Sequence, residues 1–163
     1  MRRKDREVTD PSEIDAMLDR IYSAHIAMVA PDGGSPYCVA MNYAWEKNAA
    51  GEYVFWFHCA NEGRKSEILK ANSNVWIFAE REGSFLEKTT AAGTPYMTMT
   101  YESVSGAGVV EFLAEYDLAA KRRALALLCK RFTATPISSV PDAVIAITSV
   151  FRATVPVLSA KKH

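Results

Sequence analysis

Three short apolar runs joined by tight turns, residues 25–29, 36–45 and 52–57, restrict this chain to an antiparallel sheet. Pro31-Asp32-Gly33-Gly34 separates the first two, and a polar segment ending at Gly51 separates the second from the third. Connections this short can only join antiparallel neighbours, because a parallel partner needs a crossover of about a dozen residues. Further strands are predicted over residues 75–79, 97–114 and 143–157, where Val, Ile, Thr and aromatic residues concentrate. The 97–114 run is long for one strand, and Gly106 and Gly108 within it predict a bulge or sharp bend of the kind that closes a small barrel.

Helices are predicted at residues 11–23, 63–71 and from Asp117 onward. The first opens with Asp10 as cap, Pro11 at its first position and Glu13 at its third. The last carries an apolar stripe of Leu118, Leu125, Leu128, Cys129 and Phe132. They do not alternate regularly with the strands, which argues against a doubly wound sheet. The expected fold is mainly β (α+β), an antiparallel barrel of about six strands with about three flanking helices. Residues 81–95, with Gly83, Gly93, Pro95 and paired threonines, read as an irregular loop expected to be mobile or to cross to a partner, and residues 135–142 as a linker.

At 163 residues and 49% hydrophobic composition, one domain over 1–163 is expected, with an arm at 1–10. A net charge of zero gives no field for nucleic acid, and the Arg2, Arg3, Lys4, Arg6 cluster beside Asp5 and Glu7 reads as a solvated arm. Three cysteines without C-x-x-C spacing or clustered histidines predict neither zinc nor a disulfide framework. The charged start, and the lack of any apolar run near the ~20 residues that span a bilayer, predict a soluble cytoplasmic protein. Neither G-x-G-x-x-G after a strand nor G-x-x-x-x-G-K-[ST] occurs, so a Rossmann or P-loop nucleotide site is not expected.

Residues 55–69, FWFHCANEGRKSEIL, run from an aromatic strand through a polar turn and Gly63 into Arg64, Lys65 and an amphipathic helix. Unpaired backbone N–H groups at a helix start carry partial positive charge, and two cations at the same place make an anion site that suits a phosphate. An ordinary strand–turn–helix with a solvated Arg-Lys pair fits the spacing equally. His58 can likewise be a structural histidine or a ligand-facing one.

The stretch resembles the phosphate-gripping turn of the pyridoxamine 5'-phosphate oxidase superfamily, the FMN-binding split barrels, and within it the nitroimidazole-resistance branch. The opening MRRKDREVTD, the strand PYCVAMNY and the segment YESVSGAG carry the same resemblance. It implies FMN as cofactor, with Arg64 and Lys65 on the phosphate and His58 facing the flavin as the candidate catalytic group. Backbone groups of Cys59 and Ala60 would lie near the ring, with Val39, Met41, Asn42 and Tyr43 along it and Ser103 and Val104 at a further contact. It implies a homodimer completing the pocket, a small organic acceptor such as a nitro compound as substrate, and NAD(P)H as a candidate electron donor.

Residues 150–163 lack a match to the segment that grips the vitamin B6 phosphate in the oxidases themselves, so that substrate is not expected. The competing reading is a non-catalytic module holding flavin or haem. Trp45, Trp56 and Trp76 read as core or interface.

Overall fold

The computed structural model describes residues 3–163. After a 3-10 turn at Lys4–Arg6 come β1 (Glu7–Val8), α1 (Pro11–Arg20), β2 (Ser23–Met28), β3 (Tyr37–Asn42), β4 (Ala44–Lys47) and β5 (Tyr53–Ala60). Then follow α2 (Arg64–Ala71), β6 (Asn74–Thr89), β7 (Pro95–Phe112) and α3 (Leu118–Phe132). A 3-10 turn at Ile137–Ser139, α4 (Asp142–Ile147), β8 (Thr148–Val155) and β9 (Ser159–Lys162) complete the chain. Asp10 caps α1 by accepting from the Ser12 N–H at 2.9 Å, and Asp117 caps α3 by accepting from that of Ala120 at 2.9 Å.

The nine strands form one antiparallel sheet whose main path is β3-β2-β6-β7-β8-β5-β4, with β9 pairing β7 and β1 pairing β9. Its two end strands, β3 and β4, are consecutive in the chain and separated by Tyr43 alone. The sheet therefore curls until its ends meet, and the seam between them is the split of a split barrel. Ile26, Phe55, Phe57, Ile77, Val104 and Phe151 fill the barrel together with the buried side of α1. A second core lies outside β4, β5 and β8, where α3 and α4 pack Ala124, Leu125, Leu128 and Ile145 over Val54, Trp56 and Val150. Being covered on both faces makes the start of β5 the unbroken apolar run YVFWF.

Three expectations change. Residues 81–89 are the outer part of β6, paired with the start of β7 in a hairpin arm whose turn is residues 90–94. Exposed on both faces, the arm needs no apolar alternation, and its backbone pairing is independent of side-chain type. Residues 142–147 are helical despite their β-branched content, which, with the short strands β1, β4 and β9, raises the expected counts. The irregularity in β6–β7 pairing lies between Glu82 and Phe85, away from Gly106 and Gly108. Those glycines sit where β7 leaves β9 at Ser105 and takes up β8 at Val109. A Cβ on Gly106 would come within 2.5 Å of Val155 Cγ1 and 2.7 Å of the Val157 carbonyl oxygen, so they serve close strand approach at the barrel corner.

The arm expected at 1–10 is tied down at its end, since Glu7 and Val8 pair with Lys161 and Ala160. Arg2 of the basic cluster lies outside the described residues. Among the described residues no helix is long and apolar enough to cross a membrane.

Candidate functional site

At the seam, β3 pairs only with β2, while β4 reaches along β5 only as far as Trp56. The edge of β3 and the edge of β5 from Phe57 to Ala60 are therefore left without a strand partner on that side, and each presents backbone N–H and C=O groups. Gly63 then turns the chain at φ +113°, a conformation that side chains other than glycine's rarely adopt, and α2 begins at the next residue. Gly63 has no side chain to cap α2, so the first-turn N–H groups remain available. Ser66, buried in that turn, donates its hydroxyl to the Ala60 carbonyl at 3.4 Å and lies 3.8 Å from the Cys59 sulfur, which fastens α2 to the end of β5.

Two cations lean from α2 toward β3. The Arg64 guanidinium lies 5.1 Å from the Tyr37 ring centroid. The Lys65 ammonium is half-buried and donates to the Met41 thioether sulfur at 3.3 Å, a weak acceptor. Among the described residues neither cation has a carboxylate partner. A lysine charge held against sulfur at an uncapped helix start makes a cradle whose donors suit an anion.

His58 stands at the end of β5, exposed along one side. Burial of the rest of its ring, and then the nearby Lys65 charge, hold its pKa below the ordinary histidine value of 6.5. It is therefore mainly neutral at pH 7, with one N–H to donate and one nitrogen free to accept. His58 and Asn42 line the same cleft, and neither makes a side-chain hydrogen bond within the described residues.

A family model for pyridoxamine 5'-phosphate oxidase matches residues 10–162. The chain belongs to the pyridoxamine 5'-phosphate oxidase family. Among curated proteins none matches it. Solved structures to which it is similar include a candidate 5-nitroimidazole antibiotic resistance protein from Bacteroides thetaiotaomicron. It is 24% identical, with TM-score 0.77 over 96% of this chain and 86% of that one. The flavocytochrome Anf3 from Azotobacter vinelandii is 18% identical, with TM-score 0.78 over 100% of this chain and 72% of that one. The FAD and haem binding protein from Mycobacterium smegmatis is 19% identical, with TM-score 0.72 over 96% and 73%. At these identities the likeness establishes the split-barrel fold of the pyridoxamine 5'-phosphate oxidase family member described above.

Of the residues singled out from sequence, Val39, Met41 and Asn42 on β3, His58, Cys59 and Ala60 on β5, and Arg64 and Lys65 on α2 all border the seam. The Tyr43 side chain does not face it: fully buried, it donates its hydroxyl to the Leu18 carbonyl at 2.8 Å. Ser103 and Val104 lie on β7, with β2 and β6 intervening before β3, and Val104 is inside the barrel. Arg152 is paired with Glu111 at 2.7 Å and lies 6.0 Å from the Trp56 ring centroid. Sequence reasoning missed Tyr37 and Ser66. Tyr37 opens the strand that lies beside Arg64, and Ser66 occupies a helix position where a serine carries no local signal.

Proposed function

We propose that this protein binds FMN at the seam between β3 and β5 and, as a cytoplasmic homodimer, uses it to reduce a small organic acceptor, nitro compounds among them, at the expense of a nicotinamide donor. The observation that carries this reading is the Lys65 ammonium, set against a sulfur atom at the uncapped start of α2. A phosphate monoester answers both features, since it accepts from the α2 N–H groups and from Lys65 and Arg64 at once.

The residues fit the rest of the cofactor. The free edges of β3, from Val39 to Asn42, and of β5, from His58 to Ala60, offer the alternating donors and acceptors that the polar rim of a flavin ring requires. FMN bound there would supply two-electron transfer between donor and acceptor. His58, neutral at pH 7, can hold a proton at one ring nitrogen and pass it to an acceptor in the adjoining cleft.

The homodimer rests on the outer face of β2, β6 and β7. Trp76 is 51% exposed and Val109 54%, and the neighbours of Trp76 across the strands are the small residues Ala27 and Ala107. The β6–β7 arm adds Phe85 and Met97, 75% and 70% exposed. In such a dimer Ser103 would meet the flavin held by the second copy, which gives that residue a role its own seam does not.

The visible spectrum of the purified protein, followed by FMN titration and by reduction with NADH and NADPH, tests this. A flavin spectrum and nicotinamide-dependent bleaching are expected. Absence of FMN binding would overturn the cofactor assignment, and bound FMN that no nicotinamide reduces would overturn the catalytic one.

A further inference from the structure

Beside the anion cradle lies a cleft of about 320 Å³ that the strands alone do not create. Its floor is the end of β5, and its wall is built by α3, the 3-10 turn and α4. His58 and Asn42 line it together with Leu128, Phe132, Ile137 and Val144, and no carboxylate, lysine or arginine does so. That volume is at the small end of the range for ligand pockets, about 300–1,000 Å³.

The wall is held by two adjacent cations of α3. Lys121 is 1% exposed and donates its ammonium to the Ala146 carbonyl at 3.0 Å, at the C-terminal end of α4. Arg122 donates to the Ile137 carbonyl at 2.8 Å, to the Val140 carbonyl at 3.0 Å and to the Asp142 carboxylate. Burying an ammonium on a single carbonyl is costly, and the position is sustained by the favourable end of the α4 dipole. Both cations are directed at the segment that roofs the cleft and away from its interior, so the wall is pinned while the lining stays uncharged.

We infer that this cleft is the acceptor site, and that it selects an uncharged aromatic ring carrying a hydrogen-bond-accepting substituent such as a nitro group. The ring lies among Leu128, Phe132, Ile137 and Val144. The substituent accepts from the Asn42 amide and the His58 N–H, which have no protein partner within the described residues. A carboxylate on the ring is rejected, because the cleft offers no cation to replace its lost hydration. This assignment rests on the flavin reading only for the use to which the bound ring is put, and its binding is measurable without the cofactor.

The test uses nitrobenzene and 4-nitrobenzoate as matched probes, titrated into the purified protein while the methyl signals of Leu128, Val144 and Ile145 and the His58 imidazole are followed by NMR. Nitrobenzene is expected to move all of them and 4-nitrobenzoate to bind at least about tenfold more weakly. Val144, 46% exposed at the lip, tolerates a long side chain. Val144→Lys is expected to weaken nitrobenzene and strengthen 4-nitrobenzoate, an inversion that misfolding cannot produce. Unmoved methyl signals, equal affinity for the two probes or an unchanged order in the variant would overturn the inference. FMN titrated in parallel separates the two readings: FMN binding with unmoved methyls defeats the cleft assignment alone, and methyl shifts without FMN binding defeat the flavin assignment alone.

Discussion

The Lys65 ammonium rests 3.3 Å from the Met41 sulfur, and this contact joins α2 to the strand on the far side of the seam. Sulfur is too weak an acceptor to satisfy an ammonium, so the pair leaves most of the charge for whatever enters between β3 and β5. Replacing Lys65 by Ala is expected to weaken FMN by about ten- to a hundred-fold, the worth of a charge-assisted contact of about 1.5–3 kcal/mol. Riboflavin, which has the ring without the phosphate, should lose almost nothing. Fluorescence quenching with both flavins checks this, and equal losses would mean that the turn is not a phosphate site.

The same charge acts on His58. With its folded pKa below the ordinary value, His58 favours the folded state fully at pH above its unfolded pKa, and that contribution declines as the pH falls through the lower folded value. Lys65→Ala removes the second of the two causes and leaves burial, so the His58 titration should move upward without reaching its unperturbed position. NMR titration of the imidazole follows this directly, and an unmoved His58 would show that the two groups do not sense each other.

If the proposed homodimer forms, Trp76→Glu is expected to convert it to a monomer while leaving the barrel folded, because the side chain projects from the outer face and makes no part of the core. Light scattering and a thermal melt together check it. A parent protein that is monomeric would remove the second copy from the site.

Gly106→Ala should destabilise the barrel by about 1–3 kcal/mol, since the new methyl meets Val155 and the fixed Val157 carbonyl where β7 changes partner. Denaturant unfolding measures the loss. The same substitution at Gly93, in the turn of the exposed arm with open space around its Cβ, should cost no more than its backbone strain.

Arg131 reaches from α3 to the end of α1, donating to the Leu18 and Ile21 carbonyls with its guanidinium 4.5 Å from the Tyr43 ring centroid. Arg131→Met should cost about 1.5–3 kcal/mol by leaving those carbonyls without their charged donor. It should also loosen Tyr43, whose hydroxyl shares the Leu18 carbonyl. Unfolding and hydrogen exchange at β3 would register both effects.

The turn from β5 into α2 was legible in the sequence because every element of it is local: Gly63, Arg64 and Lys65 are adjacent, and their placement depends on where a helix starts. The caps at Asp10 and Asp117 were legible for the same reason. The wall over His58 was not. Leu125, Leu128 and Phe132 repeat as any core-facing stripe does, and what makes part of that stripe a cleft is the placement of Lys121 and Arg122 against a segment some fifteen to twenty-five residues away. Residues 142–147 misled by composition, since Val144, Ile145 and Ile147 favour strands until α3 supplies a surface for a helix. The arm misled because Gly83, Gly93 and Pro95 are turn residues in any local reading, whereas its pairing is a property of two strands at once.

The one-residue connection at Tyr43 limits how chains of this kind can diverge in length. Residues added at the tip of the arm, between Thr89 and Pro95, extend an exposed hairpin and disturb nothing behind it. A single residue added or lost beside Tyr43 would shift β3 by one step relative to β5 and exchange the faces on which Met41 and Asn42 stand. Lys65 would then lose its sulfur neighbour and His58 its companion in the cleft through one event. Relatives are thus free to grow at the arm, while the junction at Tyr43 must be inherited without insertion or deletion for cradle and cleft to stay in step.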